Sequence, residues 1–151
     1  MWQFSTTPFA LCATDYIMEK DIQYAIEAGL DPDEFIQVLN DSTLGERRPV
    51  DNRERILRMC NNANLIITAR HNGKLVGIAR SLTDFAFCTY LSDLAVSEEY
   101  QKMGIGKELV RRVREAVPEA NLILLAAPKA IDYYPRIGMI RHEAAYIQRG
   151  I

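Results

Sequence analysis

The chain has 151 residues, 48% of them hydrophobic and 25% charged, which suffices for one hydrophobic core and is too short for two comfortable domains. A net charge of −2 with no basic run carrying interleaved aromatics argues against a nucleic-acid partner, and no window approaches the roughly 20 apolar residues of a membrane helix. Two histidines, His71 and His142, leave almost nothing for a zinc site or a His-based triad, and three widely spaced cysteines, Cys12, Cys60 and Cys88, fit reduced thiols in a cytoplasmic protein.

Residues 1–14 read as a lead-in. Their start, MWQFSTTPFALCA, lacks a basic stretch and is interrupted by polar residues and Pro8, which makes a poor signal peptide. Residues 15–151 read as a single domain, with a first strand expected over Asp15 to Ile22. Asp31-Pro32-Asp33-Glu34 is a helix start: Asp31 can cap, Pro32 suits the first helical position, and Glu34 completes a capping box. Phe35, Ile36, Val38 and Leu39 supply the buried face. A loop over 40–50 leads to a second helix opened by Asp51 and Glu54 and packed through Ile56, Leu57, Met59 and Cys60.

Asn64 to Arg70 and Lys74 to Leu82 read as strands joined at Asn72-Gly73, a strong hairpin signal. A two-residue reversal at Thr83-Asp84 would start a third strand, FAFCTYLSDLAV, and would set Asp93 opposite Lys74. The next helix carries Ile105, Leu109, Val113 and Val117 at four-residue steps with Val110 beside them, one apolar stripe. Gly104 and Gly106 at its start let unpartnered backbone N–H groups approach an anion. Further on, Leu122 to Ala127 is a continuous apolar run suited to a strand buried on both faces. Pro135 is expected to stop a short helix at Tyr133-Tyr134, and Gly138 to turn the chain into a last strand around Ile140 to Ile147.

The loop spacing separates one anion site from others. A P-loop needs four residues between its glycines and a Ser or Thr after the Lys, yet Lys107 is followed by Glu108. A dinucleotide fingerprint needs a small residue where Leu109 stands. What remains is Gln101-Lys102-Met103-Gly104-Ile105-Gly106 after a strand ending Asp-Leu-Ala-Val. This loop resembles the pyrophosphate loop of the GNAT superfamily of N-acetyltransferases. The stretch from Ala127 to Met139, with a Tyr a few residues before a Gly-hydrophobic pair, is similar to that family's short Tyr-bearing helix.

The resemblance implies an α+β (α/β sandwich) GNAT fold, a mixed, mostly antiparallel sheet flanked by helices. It also implies transfer of an acetyl group from acetyl-CoA, with no metal, to a primary amine of a small molecule or peptide. Few residues follow Gly138, so one closing strand is expected to be short, missing or supplied by a partner subunit, which leaves room for a homodimer. The cosubstrate contacts implied are Leu94, Ala95, Val96, Gln101, Lys102, Met103, Gly104, Ile105, Gly106, Lys107, Ala127 and Tyr134. Val96 N–H becomes the candidate oxyanion donor, and Tyr134 the general acid or hydrogen-bond donor to the leaving sulfur, with Tyr133 the alternative.

Asp93, a carboxylate inside an otherwise apolar strand, needs a partner or a purpose. It is the candidate base, and a cross-strand ion pair, Asp84, Glu98 or no protein base at all stand beside it. A non-catalytic acyl-CoA sensor is the alternative function. From Asp15 to Arg58 there are eleven Asp or Glu against six Lys or Arg, and from Ala63 onward nine against twelve. That split suits a cationic acceptor facing the first half and a polyanionic cosubstrate facing the second, and equally a solvated surface.

Overall fold

A computed structural model describes residues 21–150. In order these form β1 (Ile22–Ile26), α1 (Pro32–Asp41), α2 (Arg53–Asn62), β2 (Leu65–His71), β3 (Lys74–Thr83), β4 (Cys88–Val96), α3 (Ile105–Ala116), β5 (Asn121–Ile123) and α4 (Tyr133–Arg136), with short 3-10 turns between. The five strands lie side by side in chain order, antiparallel from β1 to β4 and parallel between β4 and β5. This is a mixed, mostly antiparallel sheet in an α+β sandwich, as expected. Residues 15–20 of the expected first strand lie outside the described residues; Ile22 opens a strand that runs on to Ile26.

Two apolar layers cover the sheet. On one face Phe35, Val38 and Leu39 of α1 and Ile56 and Cys60 of α2 bury against Ile66, Ile78 and Ala95. On the other, Ile105, Leu109, Val110 and Val113 of α3, followed by Val117, pack on Ile67, Val76, Ala79 and Leu91. The helix starts follow their chemistry. Asp31 accepts from Asp33 N–H at 2.8 Å, with Pro32 in the first turn. Glu34 does not complete a capping box, because its carboxylate pairs with Arg70. Asn52 caps α2 by accepting from Arg55 N–H, where Asp51 was expected; Leu57 stays partly exposed.

Asn72 and Gly73 make the tight β2–β3 turn with φ of 49° and 82°, the left-handed pair that such a turn requires. The next reversal is longer than two residues. Thr83 pairs with Thr89, and Asp84 Oδ1 accepts from the N–H groups of Ala86, Phe87 and Cys88 at 2.8–3.0 Å. The carboxylate thus ties residues 85–87 into a turn despite their strand-like composition. The register shifts accordingly, and Asp93 faces Arg80 rather than Lys74.

The C-terminal part departs most from expectation. β5 keeps only three residues, and Ile123 and Leu125 are half exposed, because no strand covers that edge among the described residues. Residues 140–150 carry no strand and are exposed. Pro135 lies inside α4 rather than ending it, since its missing N–H falls in the first turn, where none is needed.

Candidate functional site

The site is a wedge opened by the sheet itself. β4 pairs with β5 only through Cys88–Tyr90. Between β3 and β4 the register shifts at Arg80/Ser81, so that Arg80 faces Asp93 while Ser81 faces Leu91, and Ser92 is the extra residue of a β-bulge. Ser97 N–H donates to Val76 O at 2.9 Å. Because antiparallel pairing alternates, Ala95 and Asp93 also turn their peptides to β3, whereas Leu94 and Val96 turn theirs into the wedge. Of the three strand residues singled out, Ala95 therefore contributes a buried methyl to the core rather than a peptide to the site.

The loop beyond β4 folds back onto it. Gln101 Nε2 donates to Val96 O at 2.9 Å, and Tyr100 beneath it shares a 2.9 Å hydrogen bond with His71 Nδ1. Lys102 and Gly104 hold φ of 65° and 83°, which turns the chain into α3. The N–H groups of Ile105, Gly106 and Lys107 then precede the first helical bond, made by Glu108 N–H to Gly104 O. The Ile105 side chain is in the core and Met103 packs against it, so these two offer backbone only. Lys102 and Lys107 are exposed.

α4 rests on this loop. A Cβ on Gly106 would stand 2.9 Å from Tyr133 Oη and 3.8 Å from Val96 Cγ2, so the glycine makes room for α4 to approach α3. Tyr133 and Tyr134 meet edge to face at 5.4 Å. Burial raises the pKa of both phenols above its ordinary value, and for Tyr134 the neighbouring Tyr133 adds to the effect. Ala127 leads into the turn Pro128–Ala130 that precedes α4.

Asp93 is fully buried and held on both oxygens: Arg48 Nε donates to Oδ1, and Arg80 Nε to Oδ2 at 2.5 Å. It is an ion pair across the strands, with a second guanidinium added from the α1–α2 loop. Both carboxylate oxygens already accept charged hydrogen bonds, which leaves the proposed base role little to work with. Asp84 is tied into its turn, which holds its carboxyl down to about 2. Sequence reasoning missed Arg48, Arg80 and Ser92. Arg80 had a signal, being the one charge inside the apolar run of β3; Arg48, a loop residue, had none.

Three carboxylates of the acidic first half are in ion pairs. Asp33 binds Arg53, and Glu27 and Glu34 share Arg70. An open groove of about 690 Å³ at the other end of β4, lined by Leu82, Cys88, Tyr90 and Ile123 among others, includes Asp84, the alternative base, and none of the expected cosubstrate contacts. Among the described residues no three His, Cys, Asp or Glu converge as metal ligands, and no helix is long and apolar enough to cross a membrane.

Comparison with known proteins identifies the family and the fold. The model of the acetyltransferase (GNAT) family matches residues 32–139. The uncharacterized N-acetyltransferase ycf52 of Pyropia yezoensis is 28% identical over 134 residues, covering 84% of this chain and 75% of the relative. GCN5-related N-acetyltransferase 2, chloroplastic, of Arabidopsis thaliana is 37% identical over 68 residues, covering 43% of this chain and only 26% of the relative. The crystal structure of a proposed acetyltransferase from Deinococcus radiodurans R1 superposes with a TM-score of 0.68 at 26% identity, covering 85% of this chain and 89% of the other.

Proposed function

The chain belongs to the acetyltransferase (GNAT) family, and from that premise we propose that it moves an acetyl group from acetyl-CoA to a primary amine of a small molecule or peptide by direct attack in a ternary complex. The observation that carries this reading is the wedge at Val96, with the Leu94 and Val96 N–H groups turned away from β3 on its wall and the α3 N-terminus at its mouth. The residues fit acetyl-CoA: Gly104 and Gly106 leave two positions of the loop from Gln101 to Lys107 without side chains, and N–H groups and the helix dipole there favour a pyrophosphate. Leu94 and Val96 offer peptide groups to an amide-bearing arm. Acetyl-CoA supplies the activated acetyl group and a thiol that leaves.

The chain's own residues do the rest. Val96 N–H is directed at the carbonyl oxygen and stabilises the charge that grows there. The Tyr134 hydroxyl donates to the leaving sulfur. An ordinary phenol near ~10 facing a thiol near ~8.5 would give up its proton uphill by roughly 2 kcal/mol, and burial of Tyr134 raises it further, so a retained hydrogen bond is favoured over full transfer. With Asp93 tied between two arginines, the amine proton leaves to water. Unpaired Cys60 and Cys88 support a reducing, cytoplasmic setting.

The test is equilibrium binding of CoA against ATP and NAD, followed by thiol release from acetyl-CoA with a panel of amines. CoA binding with amine-dependent release is expected. CoA binding with no release from any amine would make the domain an acyl-CoA sensor, and preference for ATP or NAD would overturn both readings.

A further inference from the structure

The bulge beside the wedge is fastened both from within the sheet and from outside it. Ser92, its extra residue, is held twice: its carbonyl accepts from Arg48 Nη2 at 2.8 Å and its hydroxyl from Arg80 Nη2 at 2.9 Å. The next residue, Asp93, is held by the Nε atoms of the same two arginines. Arg80 is a neighbour within the sheet, buried, anchored by Nη1 on Met59 O at 3.1 Å and stacked over the Phe35 ring at 5.9 Å. It alone neutralises Asp93. A second guanidinium leaves an excess positive charge in a largely buried place, which costs free energy unless its bonds do something the first cannot.

What Arg48 adds is geometric. It comes from the loop between α1 and α2, 45 residues before Asp93, and its planar fork grips the Ser92 carbonyl and the Asp93 carboxylate together. Arg48 Nη1 donates in addition to Arg47 O at 2.9 Å, which fixes the fork to its own backbone. The peptide after Asp93 carries Leu94 N–H, and Val96 N–H follows two residues on. A rotation of the bulge would therefore re-aim both.

We propose that Arg48 is a positioning residue: by clamping Ser92 and Asp93 it sets the direction of the Leu94 and Val96 N–H groups and ties the acyl wedge to the α1–α2 loop. The proposal rests on the catalytic reading above for its kinetic consequence, and on the geometry alone for its structural one. Because the loop bears Arg48 and precedes α2, an acceptor that settles this loop would also settle the oxyanion donor.

The test uses the full chain with Arg48→Lys, which keeps a charge for Asp93 and cannot make the paired contact, and Arg48→Met. The readouts are turnover, the Michaelis constant for acetyl-CoA, CoA affinity, thermal stability, and the backbone amide signals of Leu94 and Val96. Arg48→Lys should stay folded, weaken CoA binding by less than it lowers turnover because the anion loop is untouched, lose roughly ten- to a hundredfold in turnover, and shift both amide signals; a misaimed donor has effects of that size. Arg48→Met should lose at least as much. Unchanged turnover in a folded Arg48→Lys protein would overturn the proposal. If the parent binds CoA and releases no thiol with any amine, the catalytic reading fails, and the amide signals still decide: unshifted Leu94 and Val96 amides in Arg48→Lys would overturn the clamp by themselves.

Discussion

On the proposed reading, two adjacent tyrosines divide the labour at the site. Tyr133 has its hydroxyl over Gly106 and so docks α4 onto α3, which leaves Tyr134, the more buried of the pair, for the leaving group. Tyr134→Phe preserves the edge-to-face contact and removes one oxygen. Steady-state kinetics should show turnover lower by about 10- to 100-fold with the CoA dissociation constant nearly unchanged, the pattern of a hydrogen bond that strengthens in the transition state. Were Tyr133→Phe to carry the turnover loss instead, the roles would be exchanged. Asp93 shows what the sequence can and cannot say about one residue. Its need for a partner was legible from burial chemistry alone, whereas the partner was not, because cross-strand register depends on the length of the preceding turn. That length is decided by Asp84, whose carboxylate collects three N–H groups and converts an aromatic stretch from strand to turn.

At the scale of elements, α4 packs closely on α3 at Gly106. A methyl on Gly106 would meet Tyr133 Oη at 2.9 Å, closer than ordinary packing, so Gly106→Ala should displace α4 and lower activity. The same substitution in a Tyr133→Phe background removes the colliding oxygen, and the double-mutant cycle should then show coupling on the order of 1 kcal/mol. Additive effects would mean that Gly106 serves only the anion loop. Helices α1 and α3 and the β2–β3 hairpin rest on local signals: a cap at Asp31, a four-residue apolar stripe, and Asn72-Gly73 with positive φ at both residues. β5 and the segment after Gly138 rest on neighbours instead. Leu122 to Ala127 has the composition of a central strand, yet only Asn121–Ile123 pairs, because an apolar run states a preference for burial without stating what will cover it.

At the scale of the whole molecule, some of the carboxylates form ion pairs that join elements or run along one helix. Glu27 and Glu34 bring the β1–α1 connection and α1 onto Arg70 of β2, Asp33 joins α1 to Arg53 of α2, and Glu108 ties Arg111 and Arg112 along α3. Hydrogen bonds from these arginines hold Glu27, Glu34, Asp33 and Glu108 below their ordinary values, Glu108 at about 2, and backbone N–H groups hold Asp84 at about 2. All five shifts have one sign. A carboxyl whose pKa is lower in the folded chain binds fewer protons there than when unfolded, so its stabilisation is full above the unfolded value and is lost as pH falls through the folded one. The urea midpoint should therefore be flat from pH 8 to about 5 and fall steadily between about pH 4.5 and 2. Glu34→Gln and Glu108→Gln should each make that fall shallower, because each removes one titrating group, with the change partly masked at Glu108 by solvent screening. Raising the salt to 1 M should also flatten the profile, since the Debye length shrinks to about 3 Å. A midpoint that holds constant down to pH 3 would mean that these pairs are equally made in the unfolded chain, and that they fix the orientation of α1 and α2 around the wedge without contributing to its stability.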